Sequence, residues 1–104
     1  MAASTKILSP DEITQAAPAG WRMEDGLLTA RFATGDFATG LELVARLGAS
    51  AESANHHPDV TLTYPTVTVT LTSHDVGGVT GRDIALAQQA SEHAAALGVD
   101  VAAD

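Results

Sequence analysis

Val60-Thr61-Leu62-Thr63-Tyr64-Pro65-Thr66-Val67-Thr68-Val69-Thr70-Leu71-Thr72-Ser73 is the stretch that decides the fold. Val60, Leu62 and Tyr64 alternate with Thr61 and Thr63. Val67, Val69 and Leu71 alternate with Thr66, Thr68, Thr70 and Thr72. Both runs are β-branched with a period of two, the mark of half-buried strands. Proline cannot donate to a ladder, so Pro65-Thr66 is expected as the turn of an antiparallel hairpin. Directly opposed residues share a face of the sheet. Placing Tyr64 opposite Val67 sets Leu62 against Val69 and Val60 against Leu71. Thr63 then meets Thr68 and Thr61 meets Thr70. A slip of one residue would set apolar against threonine throughout, so the pattern is expected to fix this register. Extended outward, it carries His57 towards His74. Pro58 ends the ladder before His57, so the expectation is nearness of the histidines and not a ladder distance.

Upstream, Met1 to Leu8 is expected to be a loose tail, and residues 9–104 a single domain. Ser9-Pro10-Asp11-Glu12 marks a helix start, with a capping serine, proline at the first helical position and glutamate three after the serine. That helix should be short, to about Ala16. Trp21 to Glu24 reads as a strand with Trp21 in or near the core, and Asp25-Gly26 as a hairpin turn. Leu28, Ala30 and Phe32 alternate in the next strand. Asp36 can cap a helix starting at Phe37 and running to about Ser53. Phe37, Leu41, Val44, Ala45 and Gly48 form its apolar stripe, with Leu43 and Leu47 beside it. Either this is a wide core stripe or the helix also meets a second copy of the chain, and self-association is expected. After Gly77-Gly78, Thr80-Gly81-Arg82-Asp83 is a second capping signature. The helix behind it carries Ile84, Ala87, Ala90 and Ala94 on one stripe and ends near Leu97-Gly98. The order is α-β-β-α-β-β-α. The expected class is α+β, a four-stranded antiparallel sheet with helices packed on one face.

Composition narrows the partners. The chain has 104 residues, enough for one core without covalent staples. It has no cysteine, so disulfides and thiolate metal sites are excluded, which suits a cytoplasmic protein. Thirteen acidic against five basic residues give a net charge of −8. The basic residues are scattered, so neither nucleic acid nor an anionic membrane surface is an expected partner. No apolar run approaches the roughly 20 residues of a membrane span, and MAASTKILSP lacks the apolar core of a secretory signal.

Three of the four histidines, His56, His57 and His74, flank the hairpin; His93 lies in the last helix and reads as structural. Three imidazoles at one end of a hairpin suit either a metal or acid–base chemistry. The metal reading is weakened because His56 and His57 are adjacent and successive side chains diverge in extended chain. Acid–base chemistry needs only imidazoles titrating near neutral pH on either side of a small substrate.

Glu52-xxx-His56-His57-Pro58, then Tyr64, His74 and Asp83 at their spacings, resembles the signature of the pterin-4a-carbinolamine dehydratases. Gly78-Val79-Thr80 and the framework of Trp21, Gly26 and Asp36-Phe37 resemble it too, over roughly residues 9 to 97. The chain departs at Thr34, Gly40 and Leu43, where the family often has phenylalanine, alanine and phenylalanine. Ser73 stands for a usual threonine and Val79 for a usual leucine. The resemblance implies dehydration of 4a-hydroxytetrahydropterin to quinonoid dihydropterin and water, in tetrahydrobiopterin recycling. It implies no metal or organic cofactor, and a homodimer or homotetramer. It makes His56 and His74 the acid–base pair, with His57 holding substrate and Glu52, Pro58 and Asp83 binding or orienting. Asp83 also fits the third position of the capping box. Tyr64 lies at the far end of the hairpin and reads as core packing. Two other classes are a non-catalytic dimerisation or assembly module of the same fold and a metal-dependent hydrolase.

Overall fold

The computed structural model describes residues 6–102. The remainder of the expected tail, 1–5, lies outside the described residues, as do 103 and 104. The first helix, α1 (Pro10–Ala16), carries the full capping box: Glu12 N–H donates to Ser9 Oγ and Ser9 N–H to the Glu12 carboxylate. β1 (Arg22–Glu24) and β2 (Leu27–Ala33) are joined through Asp25 and Gly26, with φ of 53° and 80°. Both are left-handed, as a tight hairpin of the strands' own twist requires, and Asp-Gly tolerates that better than most pairs. α2 (Phe37–Ala54) starts where Asp36 accepts from Thr39 N–H at 2.7 Å. β3 (Asp59–Thr63) and β4 (Thr66–Leu71) follow, then α3 (Gly81–Ala96) and a short β5 (Asp100–Val101).

The sheet order is β1-β2-β4-β3, all antiparallel, and β5 pairs with the end of β2 at Phe32 and Ala33. The α+β class, four main strands and three helices are as expected; β5 is an addition. Two residues give no periodicity to read, so it left no sequence signal. Leu28, Ala30 and Phe32 oppose Leu71, Val69 and Val67, and all six are buried. Val60 and Leu62 extend this face, and α2 and α3 close over it with Leu43, Leu47, Leu86 and Ala87. Burying each such Leu contributes about 1.5–3 kcal/mol. Trp21 is in the core as expected: its ring meets Phe32 edge-on at 6.0 Å and its indole N–H donates to Ser91 Oγ at 2.8 Å.

Four expectations need correction. The hairpin is paired two residues away from the expected register: Thr63 opposes Thr66, Leu62 Val67, and Val60 Val69. Tyr64-Pro65, not Pro65-Thr66, forms the loop. Moving the loop by one residue shifts the pairing by two, and a shift of two keeps every side chain on its face. The alternation therefore fixes the face but leaves this ambiguity open. Tyr64, placed in the loop, is 70% exposed rather than packed in the core. On α2 the buried face is Gly40, Leu43, Leu47 and Ala51, whereas Phe37 and Leu41 are 51% and 54% exposed. The core face is centred on Leu43 and Leu47, the pair expected beside the stripe, and of the stripe itself only Val44 packs on the core. Finally, residues 6–8 are not loose. Leu8 packs on the core and donates its N–H to Val79 O at 2.8 Å, and Ile7 lies against Gly78.

Candidate active site

The site is assembled where α2 ends, β4 ends and α3 begins. α2 stops at Asn55, whose backbone is left-handed with φ 50° and ψ 43°. Asparagine is among the few residues that adopt this conformation readily. The turn is closed by His56 N–H donating to Ala51 O at 3.1 Å. It sends His56 and His57 off the helix axis, and Pro58 follows before β3 starts. His74 sits in the turn after β4, a loop gathered on the Ser73 carbonyl, which accepts from Gly77 N–H at 2.9 Å and Val76 N–H at 3.2 Å. Asp83 is the third residue of α3 and completes the capping box with Thr80.

His56, His57 and His74 line one open cleft of ≈ 300 Å³ together with Asn55, Thr72 and the Asp75–Arg82 ion pair (2.7 Å). Arg82 holds the Asp75 carboxyl below the usual carboxylate range. The expected nearness of the histidines holds, by a route other than the expected pairing. Carried beyond its last pair, the observed register sets His74 towards Asn55 and His57 towards Thr72.

His56 is the ring fixed most firmly. Its Nε2 lies 2.5 Å from Asp83 Oδ1, and its side chain is only 11% exposed. Asp83 is fully buried. Its other oxygen, Oδ2, accepts from Ser73 Oγ at 2.8 Å and from Thr80 N–H at 2.9 Å. Asp83 is therefore both helix cap and histidine partner. With Oδ2 taken by two donors and Oδ1 facing the ring, the neutral imidazole carries its proton on Nε2. The lone pair is left on Nδ1. His57 Nε2 lies 2.5 Å from Glu52 Oε2, a pair open to solvent on both sides. Glu52, in the last turn of α2, thus reaches forward past the helix end to His57 rather than to the buried ring. His74 is exposed at the rim. Tyr64 is at the opposite end of the hairpin and takes no part. Pro58 directs the chain and is not on the cleft wall.

Sequence reasoning missed Ser73 and Asn55 as parts of the site. Ser73 was visible only as a departure from a usual threonine, and Asn55 as a helix-stopping residue before the histidine pair. Among the described residues no three His, Cys, Asp or Glu side chains gather as metal ligands would. His93, away from the cleft, lies 2.7 Å from Ser50 Oγ and ties α3 to α2. It borders a wider hollow of ≈ 590 Å³ whose wall includes no carboxylate. No helix among the described residues is long and apolar enough to cross a membrane.

Comparison with known proteins gives one consistent result. The model of the family described as pterin 4 alpha carbinolamine dehydratase matches residues 6–93. A protein of Nostoc punctiforme is 40% identical over 90 residues, 85% of this chain and 97% of its own. One of Metallosphaera sedula is 41% identical over 87 residues, 82% of this chain and 91% of its own. Each is provisionally named a pterin-4-alpha-carbinolamine dehydratase. Among solved structures, a transcriptional coactivator/pterin dehydratase of Brucella melitensis superimposes with a TM-score of 0.81 at 33% identity, covering 86% of this chain and 99% of that one. The match runs through every element that carries a cleft residue, from the end of α2 to the first turn of α3, and on this ground the chain belongs to the pterin-4a-carbinolamine dehydratase family.

Proposed function

We propose that the protein dehydrates 4a-hydroxytetrahydropterin to quinonoid dihydropterin, with His56, His57 and His74 acting in the one cleft and without a metal. The observation that carries this reading is the convergence of the three imidazoles on that cleft, one of them locked to a buried carboxylate. The reaction breaks the C4a–O bond and the N5–H bond. An imidazolium gives its proton to the departing hydroxyl, which leaves as water. The N5 lone pair forms the C4a=N5 double bond as a neutral imidazole takes the N5 proton. Each proton transfer typically contributes about 10²–10⁴-fold. His56, with Nε2–H held by Asp83, presents Nδ1 as an acceptor. His74 at the rim completes the acid–base pair. His57 with Glu52 holds the substrate, and Pro58 sets their direction.

Regeneration of the tetrahydrobiopterin used by aromatic hydroxylases, in the cytoplasm, is the setting that the family resemblance supports. Self-association belongs to the same proposal: the outer face of α2, with Phe37 and Leu41 half exposed four residues apart, is apolar surface suited to a second copy. The test of substrate class is binding. Titration with a 7,8-dihydropterin should move the ring resonances of His56, His57 and His74 and leave His93 in place. Movement of His93 alone, or of none, would refute the assignment of the cleft.

A further inference from the structure

We infer that Ser73 is a positioning residue of this site, holding His56 and His74 in relation to each other without touching the cleft. The inference rests on the dehydratase reading given above. Ser73 is fully buried, and its hydroxyl has one hydrogen. Oγ lies 2.8 Å from Asp83 Oδ2 and 2.9 Å from Thr80 Oγ1. A carboxylate oxygen that already takes Thr80 N–H can only accept, so the serine hydrogen goes to Asp83. The Thr80 hydroxyl must then donate to Ser73, while its own oxygen accepts from Arg82 N–H at 3.2 Å. Two lines of donors converge on the carboxylate: Thr80 O–H to Ser73 O–H to Asp83 Oδ2 on one side, and His56 Nε2–H to Asp83 Oδ1 on the other.

The first line keeps a proton off Oδ2 and leaves Oδ1 to accept from His56 Nε2–H. It thus selects the imidazole tautomer with Nδ1 free. The same residue's main chain bonds Gly78 O and collects the N–H groups of Val76 and Gly77, which shapes the turn bearing His74. Thr72 and His74 both form the cleft wall; Ser73, between them, does not. A change at Ser73 should therefore alter turnover more than substrate affinity.

Ser73→Ala removes the donor, and Ser73→Cys keeps the shape with only a weak one. Hydrogen bonds that orient a working side chain from behind carry about 10–100-fold in activity at metal sites, and the same scale is expected for an oriented imidazole. Both variants should lose kcat on that scale with little change in KM, and ring-nitrogen NMR should show His56 leaving the pure Nε2–H tautomer. Loss of stability alone would move neither the tautomer nor the kcat-to-KM split. Unchanged kcat and tautomer in both variants of an active enzyme would overturn the inference and leave the dehydratase reading standing. If Ser73→Ala does not fold, Ser73→Cys decides. A wild-type protein without activity would instead sink the functional reading. The NMR comparison would still decide the inference, with an unchanged tautomer overturning it.

Discussion

Replacing Asp83 by Asn separates the charge of this side chain from its shape. The carboxylate takes three donors: Ser73 Oγ at 2.8 Å, Thr80 N–H at 2.9 Å and His56 Nε2 at 2.5 Å. An asparagine must choose which side receives its oxygen. With the amide N–H₂ towards Thr80, two buried donors would face each other, costing about 1–3 kcal/mol. A preference of about 1.4 kcal/mol is already tenfold. The oxygen therefore takes the Ser73–Thr80 side and the N–H₂ faces His56. The ring must then offer a lone pair at Nε2 and carry its proton on Nδ1, so the acceptor offered to substrate disappears. Turnover should fall by about 10²–10⁴-fold, the scale of one lost proton transfer. Folding should lose about 2–4 kcal/mol, because each of the three bonds keeps a partner but all three lose their charge assistance. For a domain of this size each kcal/mol is about 4–8 °C of Tm. Stopped-flow dehydration, calorimetry and ring-nitrogen NMR on one preparation read all three quantities. Wild-type turnover in a folded Asp83→Asn protein, or a ring still protonated on Nε2, would refute the reasoning.

Other variants probe the scaffold. Gly48→Ala adds a methyl with nothing within 4 Å and should stabilise by about 1 kcal/mol through helix propensity. Gly40→Ala puts the same methyl 2.7 Å from Leu62 Cδ1 and 3.3 Å from Val67 Cγ2. Overpacking of about 1–3 kcal/mol should outweigh that gain, and urea midpoints moving in the same direction would contradict this. Hydrogen bonds from Arg31 and then Arg22 hold the Glu24 carboxyl at about 2, against 4.5 when free. The folded state thus binds fewer protons than the unfolded state between these values. The stability due to Glu24 is complete above pH 4.5 and is lost as pH falls towards 2. Glu24→Gln should lower Tm near neutrality, where that stability is complete, and flatten the profile in that window so that the two proteins converge at low pH. Leu41→Glu charges the outer face of α2 and should give a monomer by light scattering where the wild type associates. A wild type monomeric at micromolar concentration would end that proposal.

Much of this was legible in the chain because local chemistry decided it. Ser9, Asp36 and Thr80 start helices where their side chains satisfy free N–H groups, and Asp25-Gly26 turns where positive φ is required. Period-two alternation gave the faces of β3 and β4 correctly. It could not tell one register from another two residues away, because both bury the same side chains. Which face of α2 meets the core was not legible for a related reason. Phe37 and Leu41 are as apolar as Leu43 and Leu47, and only the sheet decides which set is covered. The histidine spacing pointed to the cleft, but the buried bond network behind it joins residues ten and twenty-seven apart in sequence. No single segment encodes that closure.

The central claim is that these imidazoles perform the dehydration, and the rim ring offers the cleanest measurement. His74 is exposed, so His74→Ala should leave the fold and Tm intact. Generated 4a-hydroxytetrahydropterin, followed side by side with both proteins, should be dehydrated rapidly by the wild type and about 10²–10⁴-fold more slowly by the variant. Equal rates for the two, or a wild type no faster than buffer, would contradict the account.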